Sequence, residues 1–169
     1  MLAAGAGQAG AAIADLQLAS RAQSGANPSS PAVAGGVAGN GSRVAFTSAD
    51  ALSGQSVGGI RQVYVREPSG RTVLVSRNRA GQPANAAVDT ASSGMRGPAV
   101  SADGRFVVFT SQAANLVTGD ADGGQRDVFR ADLATGALRL VTATDGGPSL
   151  YGGDDGVDVS ADGTRVVYA

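Results

Sequence analysis

The chain has no cysteine, no histidine and no lysine among its 169 residues. Without cysteine there is no disulfide and no thiolate metal site. Without histidine there is no imidazole ligand and no Ser-His or Cys-His nucleophile pair within the chain. The 13 basic residues are all arginine, thinly spread, and balanced by 14 acidic ones. No basic run exists to follow a phosphate backbone, so a nucleic-acid partner is not expected. No apolar run approaches the ~20 residues of a membrane-spanning helix, so no membrane insertion is expected. The first twenty residues are Ala-rich, lack a basic start and carry Asp15, which does not read as a signal peptide.

What the chain does have is glycine, 26 residues of it, and 43% hydrophobic residues. That much glycine disfavours helices, each costing about 1 kcal/mol relative to alanine in a helix interior, and suits a protein of many tight turns. The hydrophobic content is enough for a packed core.

The order of these residues is repetitive. GPAVSADGRFVVFTS begins at Gly97, and after a polar loop DVFRADLATGALRLVT ends at Thr142. Upstream, Asn40-Gly41 before SRVAFTS matches Asp103-Gly104 before RFVVFTS, and QVYVREPSGRTVLVS (62–76) matches 127–142. Downstream, VDVSADGTRVVYA (157–169) repeats AVSADGRFVVF. The Asx-Gly pairs at 40, 103 and 162 lie 63 and 59 residues apart. Repeats of this size point to an array of supersecondary units.

Each unit reads as four strands. In the clearest one these are 97–101, 105–111, 127–133 and 137–142, with an Asp-Gly turn of type I′ after the first and a Thr135-Gly136 turn before the last. In the second strand Phe106 and Val108 point one way, Val107 and Phe109 the other. A strand apolar on both faces must be sandwiched. Val44, Val107 and Val166 are equivalent positions, as are Phe46, Phe109 and Tyr168, which predicts one aromatic per unit in an inter-unit core. The expected fold is all-β: four-stranded antiparallel meanders stacked as propeller blades.

The expected layout is an N-terminal Ala/Gly-rich segment over 1–30, with an orphan blade strand at 15–20. A first blade over 31–76 follows, then a linker at 77–96, a second blade over 97–142 and a linker at 143–156. The first two strands of a third blade occupy 157–169. This is an incomplete propeller of about two and a half blades. Because the sequence stops within a strand, the reading is a fragment of a longer propeller, with self-association through open blade edges as the alternative.

The phrases over 97–142 and 157–169 resemble the WD-like repeats of TolB-type β-propellers. In that family a serine, a small residue and Asp-Gly precede an apolar strand, and an Asp-Val-Phe/Tyr strand and a Thr-Gly turn follow. The first unit departs from the pattern, with Asn40 in place of Asp and Glu67-Pro68 in place of Asp132-Leu133. The resemblance implies a non-enzymatic scaffold that binds a protein or peptide, in a periplasmic or secreted setting. Such propellers also form the non-catalytic half of some serine peptidases, so the alternative is the propeller portion of a hydrolase whose catalytic domain lies outside this chain.

Three loop features are candidates for chemistry. Asp120, Asp122 and Asp127 beside Gly123 form a relaxed calcium-like loop. It lacks the closing Glu of an EF-hand, and its counterpart at 55–62 has no carboxylate. Calcium, serving rigidity, is the one cofactor candidate; the alternative is a polar loop whose Asp and Gly serve turn geometry. Asp154, Asp155 and Asp158 form a second acidic cluster with no partner for acid–base work, read as a solvated loop. Asn40, Asp103 and Asp162 are read as turn residues. Six of the seven aromatics fall in expected strands, and Tyr151 alone lies in a loop, which leaves no stacking platform for bases or sugars. GAGQAG (5–10) follows no strand and opens no βαβ unit, so it is not a phosphate loop. Ser20, Ser48 and Ser111 have no base within the chain, which excludes a serine hydrolase site here.

Overall fold

The computed structural model describes residues 20–88, 97–120, 124–142 and 156–168. Its ten strands are β1 Val33–Val37, β2 Val44–Ser48, β3 Gln62–Arg66, β4 Thr72–Leu74, β5 Ala99–Val100, β6 Phe106–Ser111, β7 Asp127–Asp132, β8 Ala137–Leu140, β9 Val157–Val159 and β10 Val166–Tyr168. They form two four-stranded sheets, β1-β2-β3-β4 and β5-β6-β7-β8, and a β9-β10 hairpin, all antiparallel between chain neighbours. These are the blades of an incomplete propeller, two of them complete. The expected orphan strand at 15–20 lies outside the described residues except for Ser20.

The doubly apolar pattern of β6 has the expected consequence. Val107 and Phe109 join Phe129 and Ala131 in a cluster with Ala45, Val63 and Val65 of the first sheet. On the other face, Val108 and Val128 pack with Val157, Val159 and Val166 of the hairpin. The second sheet is thus an apolar layer between its two neighbours, and β6 is buried along its whole length. The face of the first sheet turned away from the second carries Phe46, Tyr64 and Leu74, covered by Leu52, Ala22 and Ala32. Tyr64 donates its hydroxyl to the Asp50 carbonyl at 2.6 Å, and burial pushes its phenol up to about 12.

The Asx-Gly turns differ from the type I′ expectation. No described non-glycine residue has positive φ, so Asp103 is not left-handed; only Gly104 is, at φ 75°. The turn closes instead through the Gly104 N–H donating to the Ser101 carbonyl at 2.9 Å, repeated by Gly163 to Ser160 and by Gly41 to Ala38. This is a right-handed turn followed by one left-handed glycine, the longer hairpin loop. The aspartate side chain is the reason. Asp103 Oδ1 accepts from the Ser101 hydroxyl at 2.6 Å and from the Arg105 N–H at 2.9 Å, which holds the Asp ahead of the glycine. Asp162 does the same with Ser160 and Thr164. These bonds hold the Asp103 carboxyl below its usual range, and that of Asp162 at about 2. In the first sheet Asn40 Oδ1 accepts from the Ser42 N–H at 2.9 Å.

Arginines fasten each sheet to the next turn. Arg43 donates to the Gly104 carbonyl at 3.1 Å, and Arg130 to the Gly163 carbonyl at 2.7 Å. Arg130 and Arg105 lie over the Phe106 ring at 4.4 and 4.9 Å. Arg105 also grips Asp132 with two bonds of 3.0 and 2.7 Å, which holds that carboxyl well below the usual carboxylate range.

Candidate functional site

The first strands of the three sheets, β1, β5 and β9, come together on one side of the molecule. Their approach depends on residues without side-chain bulk. A β-carbon at Gly97 would sit 2.6 Å from the Ala34 carbonyl, and one at Gly35 would sit 2.6 Å from Pro98. The β1–β2 register shifts between Ala34 and Val37, a bulge at the two glycines. The Gly36 N–H donates to the Pro98 carbonyl of the next sheet at 2.7 Å. A bulge that re-aims backbone out of its own ladder is a common device at binding edges. Turn backbones continue the link, with the Asn40 N–H bonded to the Ala102 carbonyl and the Ala102 N–H to that of Ala161.

Together these strands line a groove of about 430 Å³, with Val33, Val37, Pro98, Val100, Val157 and Asp158 along its walls. Val37 is 53% exposed at this surface. Asp158 is the one charged residue of the lining; its Oδ1 accepts from the Val159 N–H at 2.8 Å. Small apolar side chains and exposed backbone suit an extended peptide, which recognises backbone through hydrogen bonds and fills shallow apolar subsites.

The acidic candidates are dispersed. Asp158 belongs to β9 and the groove, while Asp154, Asp155 and Tyr151 lie outside the described residues. Of the calcium candidates, Asp122 also lies outside them. Asp120 is half-buried in the loop after β6, and Asp127 is fully buried as the first residue of β7. Asp127 Oδ1 accepts a short hydrogen bond from the Thr142 hydroxyl, across the end of the β7–β8 pair.

The first sheet has the same connection in neutral form, a relation the sequence reading missed. Gln62 opens β3 where Asp127 opens β7. Its Oε1 accepts from the Ser76 hydroxyl at 2.7 Å and from the Ala84 N–H at 3.2 Å, and its Nε2 donates to the Ala84 carbonyl at 3.0 Å. Ser76 Oγ also accepts from the Val63 N–H at 2.9 Å. The available signal was a polar residue opening each third strand and a Ser or Thr closing each fourth, in two units.

No protein-family model matches the chain, and no curated protein matches it. Solved structures similar in fold include the following two. TolB from Acinetobacter baumannii is 16% identical, with a TM-score of 0.44 over 82% of this chain. A TolB-designated protein of Agrobacterium tumefaciens is 16% identical, with a TM-score of 0.43 over 82%. The chain spans 26% and 38% of the length of those two structures. The four-stranded blade implied by the TolB-like repeat is the blade observed, with Ser101, Asp103 and Gly104 in the turn before β6, Asp127-Val128-Phe129 opening β7, and Thr135-Gly136 before β8.

Proposed function

We propose that this chain is a non-catalytic β-propeller scaffold that binds a protein or peptide partner in the groove between β1, β5 and β9. The supporting observation is the groove itself: three successive sheets present small side chains and backbone to one concavity, and its lining holds a single carboxylate with no nucleophile beside it. The TolB-like sequence pattern supports the same reading and adds a periplasmic or secreted setting to the proposal. A hydrolytic role would belong to a separate domain.

The test is a peptide-display selection against the chain, with Val37→Asp as counter-screen. The reading expects extended, apolar peptides whose binding falls at least about tenfold on the variant, since a charge there must be desolvated without a partner. Binders indifferent to Val37→Asp, or none at all, would remove the groove from the account.

A further inference from the structure

A cleft of about 880 Å³ opens on the outer rim, beside β8. Its walls are residues 78–80 of the segment that joins the two complete sheets, 114–118 of the loop after β6, and 135–138 of the turn into β8. β8 is the outer strand of a complete four-stranded sheet, so its free edge belongs to the blade itself.

The cleft has an apolar floor, a fixed wall and an open backbone edge. Leu116 is buried, and Val117 and Leu138 are half-buried against the same inter-sheet cluster. Asn78 Nδ2 donates to the Asn115 carbonyl at 3.2 Å, and Asn115 Nδ2 to the Pro83 carbonyl at 2.9 Å, which ties the joining segment to the loop. At the end of β8 the Val141 N–H donates to the Val128 carbonyl at 2.7 Å, so these two form a hydrogen-bonded pair. Such pairs alternate along an antiparallel ladder, which turns the N–H and C=O of Leu138 and Leu140 away from β7, toward the free edge.

Arg79 stands in the same cleft. Among the described residues it makes no ion pair, and the lining holds no carboxylate. The fold does not require an arginine there. Residues 76–81, Ser-Arg-Asn-Arg-Ala-Gly, repeat 20–25, Ser-Arg-Ala-Gln-Ser-Gly. The Gly81 N–H donates to the Asn78 carbonyl at 2.9 Å, as the Gly25 N–H does to that of Ala22, so Gln23 takes the place of Arg79 in the same turn.

We propose that this rim cleft binds the C-terminal end of a protein or peptide partner, with an extended apolar segment paired along the edge of β8 and its terminal carboxylate on Arg79. Strand addition uses the outward backbone groups, the floor receives alternate side chains, and the guanidinium gains the anion it lacks. A fatty acid would meet the floor and Arg79 but leave the backbone of Leu138 without a partner. β8 lies at the opposite edge of its sheet from β5, so the site stands independently of the partner proposed for the groove.

The probe is a labelled peptide, Thr-Val-Thr-Val-Leu, made with a free C-terminal carboxylate and as the C-terminal amide, and titrated into the whole chain. Saturable one-to-one binding is expected, with the amide weaker by about tenfold, the scale of one hydrogen-bonded contact to a charged group. Arg79→Gln, which installs the residue of the equivalent turn, should weaken the carboxylate form about tenfold and the amide less than about twofold. A folding defect would weaken both forms alike, so the contrast reads the contact itself. Val37→Asp, in the groove, should change neither. Absence of saturable binding, equal binding of the two forms, or an equal effect of Arg79→Gln on both would overturn the proposal. So would loss of binding on Val37→Asp, which would seat the peptide in the groove. Competition by decanoate as strong as that of the unlabelled peptide would also overturn it, because the β8 edge would then take no part.

Discussion

Phe109 on β6 stacks on Phe129 of β7, and the pair faces the first sheet. Phe46 and Tyr64 repeat the arrangement one sheet earlier, where Leu52, Ala22 and Ala32 cover them. The repeated unit is therefore a sheet with a cross-strand ring pair on the side toward the chain's start.

Phe109→Ala should destabilise the chain by about 3–5 kcal/mol, the range for a buried aromatic cut to alanine. Val167→Ala, at an exposed site, should stay within about 0.5 kcal/mol. Urea unfolding of both variants checks the contrast. A similar, small effect for both would mean that the rings do not form the inter-sheet core.

The turns predict an acid sensitivity of known sign. Asp103 and Asp162 are held below their usual range by bonds from Ser101 and Arg105, and from Ser160 and Thr164. A depressed carboxyl stabilises the fold fully above its unfolded value of about 4, and that contribution is lost as pH falls through the folded value, about 2 for Asp162. Asn40 fills the same place with no charge to titrate. The double variant Asp103→Asn, Asp162→Asn should therefore lose less stability between pH 5 and pH 2 (about three pH units, the span of such a carboxyl's linkage) than the parent chain does. Urea midpoints across that interval measure it; parallel curves would contradict the turn assignment.

The buried strand-end connectors separate structure from metal binding. Gln62→Leu would leave the Ser76 hydroxyl without its acceptor and the Ala84 carbonyl without its donor, a loss of about 1–3 kcal/mol for each buried group left unsatisfied, while the Ala84 N–H keeps its bond to the Ser76 carbonyl. Asp127→Asn keeps an oxygen for Thr142 and should cost less than Asp127→Leu. If Asp127 is a connector like Gln62, added calcium leaves the melting temperature unchanged. A calcium-dependent rise that Asp122→Asn abolishes would instead assign the 120–127 loop to the metal, because selective binding to the folded state must raise stability.

The strands were legible because their signals are local. Glycine turns, alternating burial and the two-sided apolar run of Phe106 to Phe109 all lie within a few residues of one another. Relations that cross between sheets were not legible. Arg43 and Arg130 perform the same task, donating to a turn glycine of the next sheet, yet one precedes β2 and the other sits within β7, so no alignment of the repeats pairs them. The groove depends on the bulge at Gly35 and Gly36, which reads in sequence as two more glycines among many. The turn type was misjudged because Asp-Gly alone suggests a two-residue hairpin, and the Ser101–Asp103 side-chain bond decides otherwise.

The central claim, that the sheets stack as successive blades about β1, β5 and β9, has a direct covalent test. A β-carbon at Gly39 would lie 3.1 Å from that of Ala102, joining the turns of the first two sheets, close to the 3.5–4.5 Å of a disulfide. The chain has no cysteine to confuse the result. Gly39→Cys with Ala102→Cys should oxidise within one chain, losing both free thiols without a change in mass class, whereas Gly39→Cys with Val167→Cys should not. Thiols that stay free in the first pair, or that link only between chains, would contradict the stacked arrangement.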